Sequence, residues 1–251
     1  MVWMFTGTNT SSVNAEGSPT ELRLLWFEVT NPPTDRDLSN MNTVDHLVFA
    51  CPDLASGIEY IEDLFGVMPQ QGGRHPSWGT HNAVLSLGHS TYFEIIAPDP
   101  DALDGFHRPE VFIGDGAGSL TTWAAALDDL PLRHARAEKA GHLFGEVLEG
   151  SRVTEFGARL KWSLTDPLTR LKDGVVPFMI DWGSSPHPSG SSPQGCFLRE
   201  LRLSHPESDS VSAIFSDTGI IMRDIVKLEY AEQFKLVALI DTPRGEVQIE
   251  S

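Results

Sequence analysis

Cysteine is scarce in this chain. Cys51 and Cys196 are the two among 251 residues, far apart and in no CxxC pattern. That excludes a disulfide framework and a thiolate zinc site, and the expected setting is a reducing, cytoplasmic one. Positive charge is also short, with 18 Lys and Arg against 35 Asp and Glu and a formal net charge of −17. A nucleic-acid backbone or an anionic membrane would be repelled over most of such a surface, so neither is an expected partner. No stretch approaches the roughly 20 apolar residues of a membrane helix; LRLLWFEV is too short and too charged. GxSxG, GxxxxGK[ST], HExxH and a GxGxxG after a strand are missing, which removes the common hydrolase, nucleotide, metalloprotease and dinucleotide readings. No basic stretch followed by an apolar run and a small-residue cleavage site opens the chain, so no secretory signal is expected.

What remains is the composition of an ordinary globular protein, 40% hydrophobic and 21% charged. Residues 1–42 are polar and aperiodic around one short apolar run, and are expected to be poorly ordered. Met41 stands immediately before the first patterned strand, which leaves a functional arm and a start site assigned too far upstream both open. From Thr43 the pattern sharpens. Val44 to Ala50 reads as a buried strand, and Asp53 opens a helix with Leu54, Ile58, Ile61, Leu64 and Phe65 on one face, ended by Gly66. A short extended piece near Val67 to Gln71, a polar loop through HPSWGTHN, and strands AVLSL and TYFEIIA about a turn at Gly88-His89-Ser90 complete a βαβββ unit.

The order then repeats. Leu120 to Ala126 is a strand, Asp129 and Pro131 open a helix that Gly141 closes, and three strand-like pieces follow. After the linker SSPHPSGSSPQG, the pieces ELRLSHP, SDSVSAIFSDTG, IVKLEYA, KLVALID and GEVQIES make a third unit. The expected organisation is a first module over 43–118, a second over 119–183, a linker over 184–196, and a smaller β-rich module over 197–251.

Chemistry concentrates between Val44 and Pro98. His46 lies near the start of one apolar strand, Glu94 in the middle of another, and His81 just ahead of a third. Imidazole and carboxylate on short strands are divalent-metal ligands. If Gly88 to Thr91 form the hairpin turn, Leu87 faces Tyr92, Leu85 faces Glu94, and period two puts His81 on the face of Glu94. The blander alternative is a strand histidine satisfied by Asp45. Arg74, His75, Trp78, Thr80 and Asn82 are candidates for a pocket mouth, with the arginine gripping a carboxylate and the tryptophan covering a ring or acyl chain. Trp182, with Asp181 and His187, is a candidate from the second module.

The stretches DHLVFACPDL, GGRHPSWGTHNAVLSLG and YFEIIAPDP resemble the first module of a glyoxalase-like domain of the vicinal oxygen chelate superfamily, and VPFMIDWGSSPHP is similar to its second half. The resemblance implies an α+β fold of repeated βαβββ modules forming a cupped mixed β-sheet, with ligand groups on the first and last strands of each module. It implies a divalent metal that holds a small oxygenated substrate through vicinal oxygens, for isomerisation, lyase or ring-opening chemistry. By position, His46 is the first-strand and Glu94 the last-strand metal ligand, with Glu94 also the catalytic candidate. In the second module, Thr122 or Trp123 and Met179 to Asp181 fall where the partner ligands belong, a departure from the four-ligand pattern. The rival reading is a non-catalytic protein that sequesters a small molecule in the same cup. Modules of this type also pair between chains, which makes a homodimer compatible with the sequence.

Overall fold

A computed structural model describes residues 44–88, 90–102, 116–153 and 159–251. The expectation for residues 1–42 lies outside the described residues. The first unit runs β1 (Val44–Ala50), α1 (Leu54–Phe65), β2 (Gln70–His75), β3 (Thr80–Ser86) and β4 (Tyr92–Pro98). The second runs β5 (Ser119–Ala126), α2 (Leu130–Lys139), β6 (Val147–Val153), β7 (Arg159–Thr165) and β8 (Phe178–Asp181).

Local chemistry explains the helices. Asp53, in extended backbone, accepts a hydrogen bond from the Ser56 amide at 2.8 Å, which satisfies one of the first unpaired donors of α1. Gly66 closes that helix at φ +73°, a left-handed conformation that glycine adopts without a side-chain clash. Leu54, Gly57, Ile61 and Phe65 are its buried stripe. At α2 Asp129 holds the N-cap position and Pro131 the first turn, as expected. Asp129 does not cap through its side chain; instead Asp181, at the end of β8, accepts from the Leu130 amide at 3.3 Å.

The two units join into one eight-stranded sheet of order β2-β3-β4-β1-β5-β8-β7-β6. Within each, first and last strands pair in parallel, β1 with β4 and β5 with β8, and the units meet across the antiparallel pair β1–β5. This is the cupped mixed sheet of the vicinal oxygen chelate fold. Its convex face carries Leu47, Phe49, Phe93, Ile95 and Trp123 into the main core, while Val48, Ala50, Ile96, Ala124, Leu164, Phe178 and Ile180 form a second apolar cluster on the concave face.

Three departures from the expected pattern shape the site. A register shift between Val44 and His46 inserts Asp45 as an extra residue opposite β5. A bulge of this kind breaks strict alternation, so Val44 joins the convex core while Asp45 and His46 contact each other within the interior. The extended piece expected near Val67 to Gln71 lies further along, as β2, takes in residues expected as loop, and pairs with β3, again with a register shift, between Gln71 and Arg74. Finally, the β3–β4 connection is one residue tighter than expected: Leu87 N–H donates to Thr91 O at 2.9 Å, and Gly88 and Ser90 take positive φ to close it. Val84, not Leu85, therefore stands opposite Glu94.

The remaining elements, β9 (Phe197–His205), α3 (Ser208–Thr218), β10 (Val226–Tyr230), β11 (Lys235–Thr242) and β12 (Gly245–Glu250), form a separate four-stranded sheet of order β10-β9-β11-β12. The element order is βαβββ as expected, but the pairing differs from the first two units: β9 runs parallel to β10, the second strand, not to β12. Leu201, Leu203, Leu236, Ala238 and Ile240 of this sheet belong to the same core as the convex face of the large one, so it backs the cup and does not extend it. Among the described residues no helix is long and apolar enough to cross a membrane.

Candidate functional site

The concave face encloses a cavity of about 70 Å³, room for several waters or a small organic group. Its polar end is built by strand register. His46 on β1 stands beside Tyr92 on β4 and opposite Ala124 on β5, and Glu94 on β4 stands beside Val48. The His46 ring stacks on Tyr92, with centroids 4.5 Å apart and planes 20° off parallel, and meets the edge of Phe178. Its Nε2 stands 3.5 Å from Glu94 Oε2, beyond a good hydrogen bond.

Behind the imidazole lies Asp45, fully buried. Its Oδ1 is 2.6 Å from His46 Nδ1, and its Oδ2 accepts from Trp182 Nε1 at 2.9 Å and from His187 Nε2 at 3.2 Å. The Ser189 amide donates to His187 Nδ1 at 3.2 Å, which leaves the His187 proton on Nε2, aimed at Asp45. Burial alone would push the Asp45 pKa up, but the hydrogen bonds and charge of His187 and His46 outweigh it and bring it to about 2. Asp45 is thus an ionised carboxylate that accepts only. A His46 proton therefore belongs on Nδ1, and the ring presents Nε2 to the cavity.

Glu94 is positioned from its other side. Asn82 Nδ2 donates to Glu94 Oε1 at 2.5 Å, and the Gly73 amide donates to Asn82 Oδ1 at 2.7 Å. A Cβ on Gly72 would stand 2.1 Å from Asn82 Oδ1, so the Gly72-Gly73 bulge of β2 is what allows the amide to come this close.

The sequence candidates divide accordingly. His46, Glu94, Asn82, His75, Trp78 and Trp182 all line the cavity, and Thr80, buried, holds His75 through an Oγ1–Nδ1 contact of 3.0 Å. His81 is not among them. The one-residue tightening of the hairpin places it opposite Ala97 and off the face of Glu94, where burial, ahead of the nearby Arg74 charge, lowers its pKa. Arg74 does not reach the polar end either: it is held by Asp99 at 3.2 Å and Asp101 at 2.5 Å. In the second module Trp123 points into the convex core and donates to Val175 O, Thr122 is bonded to Gly174 O, Met179 is core, and Asp181 caps α2. Tyr92, Trp162 and Phe178 line the cavity without having been signalled; each sits in a strand whose apolar side chains look alike from sequence.

A resident divalent ion asks for three or four protein donors. Here the polar end offers His46 Nε2 and Glu94 Oε2, while the second-module positions facing them are Ala124, Phe178 and Ile180. Among the described residues no group of three or more His, Cys, Asp or Glu side chains is arranged to hold a metal ion. The expected His46, Glu94, His81 triad is not assembled, and the donor set does not fit a chelated resident ion.

The doubled βαβββ cup, with its polar residues on the first and last strands of one half, defines a protein of the vicinal oxygen chelate superfamily. A family model described as a glyoxalase-like domain matches residues 44–219, and the chain belongs to that family. Among solved structures, a hypothetical protein from Staphylococcus aureus is similar over 76% of this chain and 86% of its own at 12% identity, with a TM-score of 0.52. Methylmalonyl-CoA epimerase from Mycobacterium tuberculosis aligns over 60% of this chain and 93% of its own at 17% identity and TM-score 0.38. A Streptomyces coelicolor methylmalonyl-CoA epimerase variant aligns over 58% and 97% at 18% identity and TM-score 0.38. No curated protein matches the chain.

Proposed function

We propose that this chain is a glyoxalase-like enzyme that moves a proton on a small molecule held in the cup, with His46 as the base and no resident metal. The observation that carries the reading is the buried Asp45 carboxylate against His46 Nδ1, a pairing that fixes the tautomer and supports the imidazolium formed when Nε2 takes a proton. In this reading Nε2 removes a proton from a C–H or O–H acid. The imidazolium is flanked by Asp45 and by Glu94 Oε2 at 3.5 Å, and the proton returns to a neighbouring atom in an isomerisation or to a leaving group in an elimination.

The test is proton exchange. Small α-hydroxy ketones, which carry an acidic α C–H, incubated with the protein in D₂O, are expected to gain deuterium at that carbon in ¹H NMR spectra. The rate should fall at least a hundredfold in His46→Gln, within the usual span of general base catalysis, and survive dialysis against a chelator. Loss of exchange on chelation would restore a metal-dependent mechanism.

A second reading, a non-catalytic binding protein with the same cup, is favoured by the wholly apolar second half, where Ala124, Phe178 and Ile180 face the His46–Glu94 pair. Saturable binding with no exchange across the panel would select it.

A further inference from the structure

The cup's chemistry also constrains what its occupant must look like, an inference that rests on the reading of the cup as the ligand site. Among the described residues, no Lys or Arg lines it. The donors nearest the polar end are already taken: His46 Nδ1 and Trp182 Nε1 by Asp45, and Asn82 Nδ2 by Glu94. At the polar end two acceptors face the cavity, the Glu94 carboxylate and the Nε2 that the Nδ1–H tautomer of His46 leaves without a proton. Arg74, the cation that sequence suggested for gripping a carboxylate, is occupied by Asp99 and Asp101. An anionic head placed here would stand against the Glu94 carboxylate with no cationic side chain in the lining to offset it.

The walls complete the picture. Trp78, Trp162 and Trp182 stand around the cavity with Tyr92 and Phe178, and the indoles of Trp162 and Trp182 are 5.2 Å apart at 47°. Aromatic faces favour a planar apolar body and attract a positive charge. Past Trp78 and Trp162 the cup adjoins a larger cavity of about 370 Å³ that also reaches Leu148, Glu149, Gly150 and Arg74, the last held by Asp99 and Asp101, so the body can be longer than the polar end alone would admit. Trp162 is seated there by Gly150, where a Cβ would lie 2.2 Å from its ring.

We infer that the cup selects a small molecule with a planar or aromatic body and a hydrogen-bond-donating head, hydroxyl or ammonium, and rejects carboxylates and other anions. A matched series on one phenyl body tests it: 2-phenylethylamine, 2-phenylethanol and 3-phenylpropanoate, titrated into the full chain at pH 8 and followed by the indole N–H resonances of Trp162 and Trp182. The amine should bind most tightly, the alcohol next, and the carboxylate at least tenfold more weakly than the amine. Glu94→Gln should remove most of the amine's advantage over the alcohol. A carboxylate that moves the same resonances with equal or greater affinity would overturn the selectivity while leaving the cup as the ligand site. If none of the three moves them, both the selectivity and the reading of the cup fall.

Discussion

Asp45→Asn is the substitution on which the account makes its firmest quantitative commitment. The wild-type carboxylate is fully buried and accepts from His46, Trp182 and His187. Asparagine has the same shape but replaces one acceptor oxygen with a donor. An amide nitrogen turned toward the Trp182–His187 pair meets two donors, and one turned toward His46 is accepted only if the ring gives up its Nδ1–H tautomer. Leaving such groups unsatisfied in a buried site costs about 1–3 kcal/mol. The ionisation gives an independent figure, since lowering the pKa from 3.8 to about 2 corresponds to ~2 kcal/mol of preference for the charged form in the folded state. Both figures put the loss at roughly 1–3 kcal/mol at pH 7, a fall in Tm of about 2–12 °C for a chain of this size. The sign with pH is set by the same shift. The native pKa lies below the unfolded value, so the wild-type advantage is complete above about pH 4 and fades as pH falls through 3.8 toward 2. Urea unfolding of both proteins between pH 7 and pH 2.5 measures the difference. Asp53→Asn serves as control, because at an exposed N-cap asparagine caps as well as aspartate and no loss is expected. A variant as stable as wild type at pH 7, or a difference that does not shrink below pH 4, would refute the reasoning.

Other consequences are as specific. Asn82→Ala removes the bridge between the Gly73 amide and Glu94 Oε1 and should lower unfolding stability by about 1–3 kcal/mol, with ligand affinity falling in the same variant; unchanged affinity would mean Glu94 needs no positioning. Gly150→Ala drives a methyl into the Trp162 ring, so calorimetry should show loss of ligand binding together with a stability loss of about 1–3 kcal/mol. In Gly57→Ala the new Cβ would lie 2.4 Å from Cys51 Sγ; the helix-propensity gain of up to ~1 kcal/mol is outweighed by overpacking, and a more stable variant would contradict that packing. Cys51 and Cys196 are buried, with burial as the main cause raising both thiols to about 11, so a thiol-specific reagent at pH 8 should label neither until the protein unfolds.

Much of this architecture is legible in the chain because local signals agree with one another. Asp53 and Gly66 bracket a helix with a clear apolar stripe, and VDHLVFA and YFEIIAP are too apolar to be anything but buried strands. The details that decide the site are not local. The Asp45 bulge overturns the alternation that would have sent Asp45 and His46 to opposite faces, and it exists because β1 must register against β5 across the seam between the modules. His81 and Asn82 exchange roles on a single residue of turn length, set by positive φ at Gly88 and Ser90. β2 is only partly legible, since GGRH has few apolar groups and reads as loop, yet the bulge there delivers the amide that orients Asn82. In the C-terminal unit the order of elements was readable, but the order does not determine which strand pairs with which, and β9 chose β10.

The central claim is that Asp45 holds His46 with its proton on Nδ1 and Nε2 toward the cup. Long-range ¹H–¹⁵N correlation spectra of the histidine rings test it directly, recorded at a pH high enough that the imidazoles are neutral. The account predicts that His46 is the Nδ1–H tautomer in the wild type and loses that preference in Asp45→Asn. An Nε2–H tautomer for wild-type His46, or a tautomer indifferent to the substitution, would contradict it.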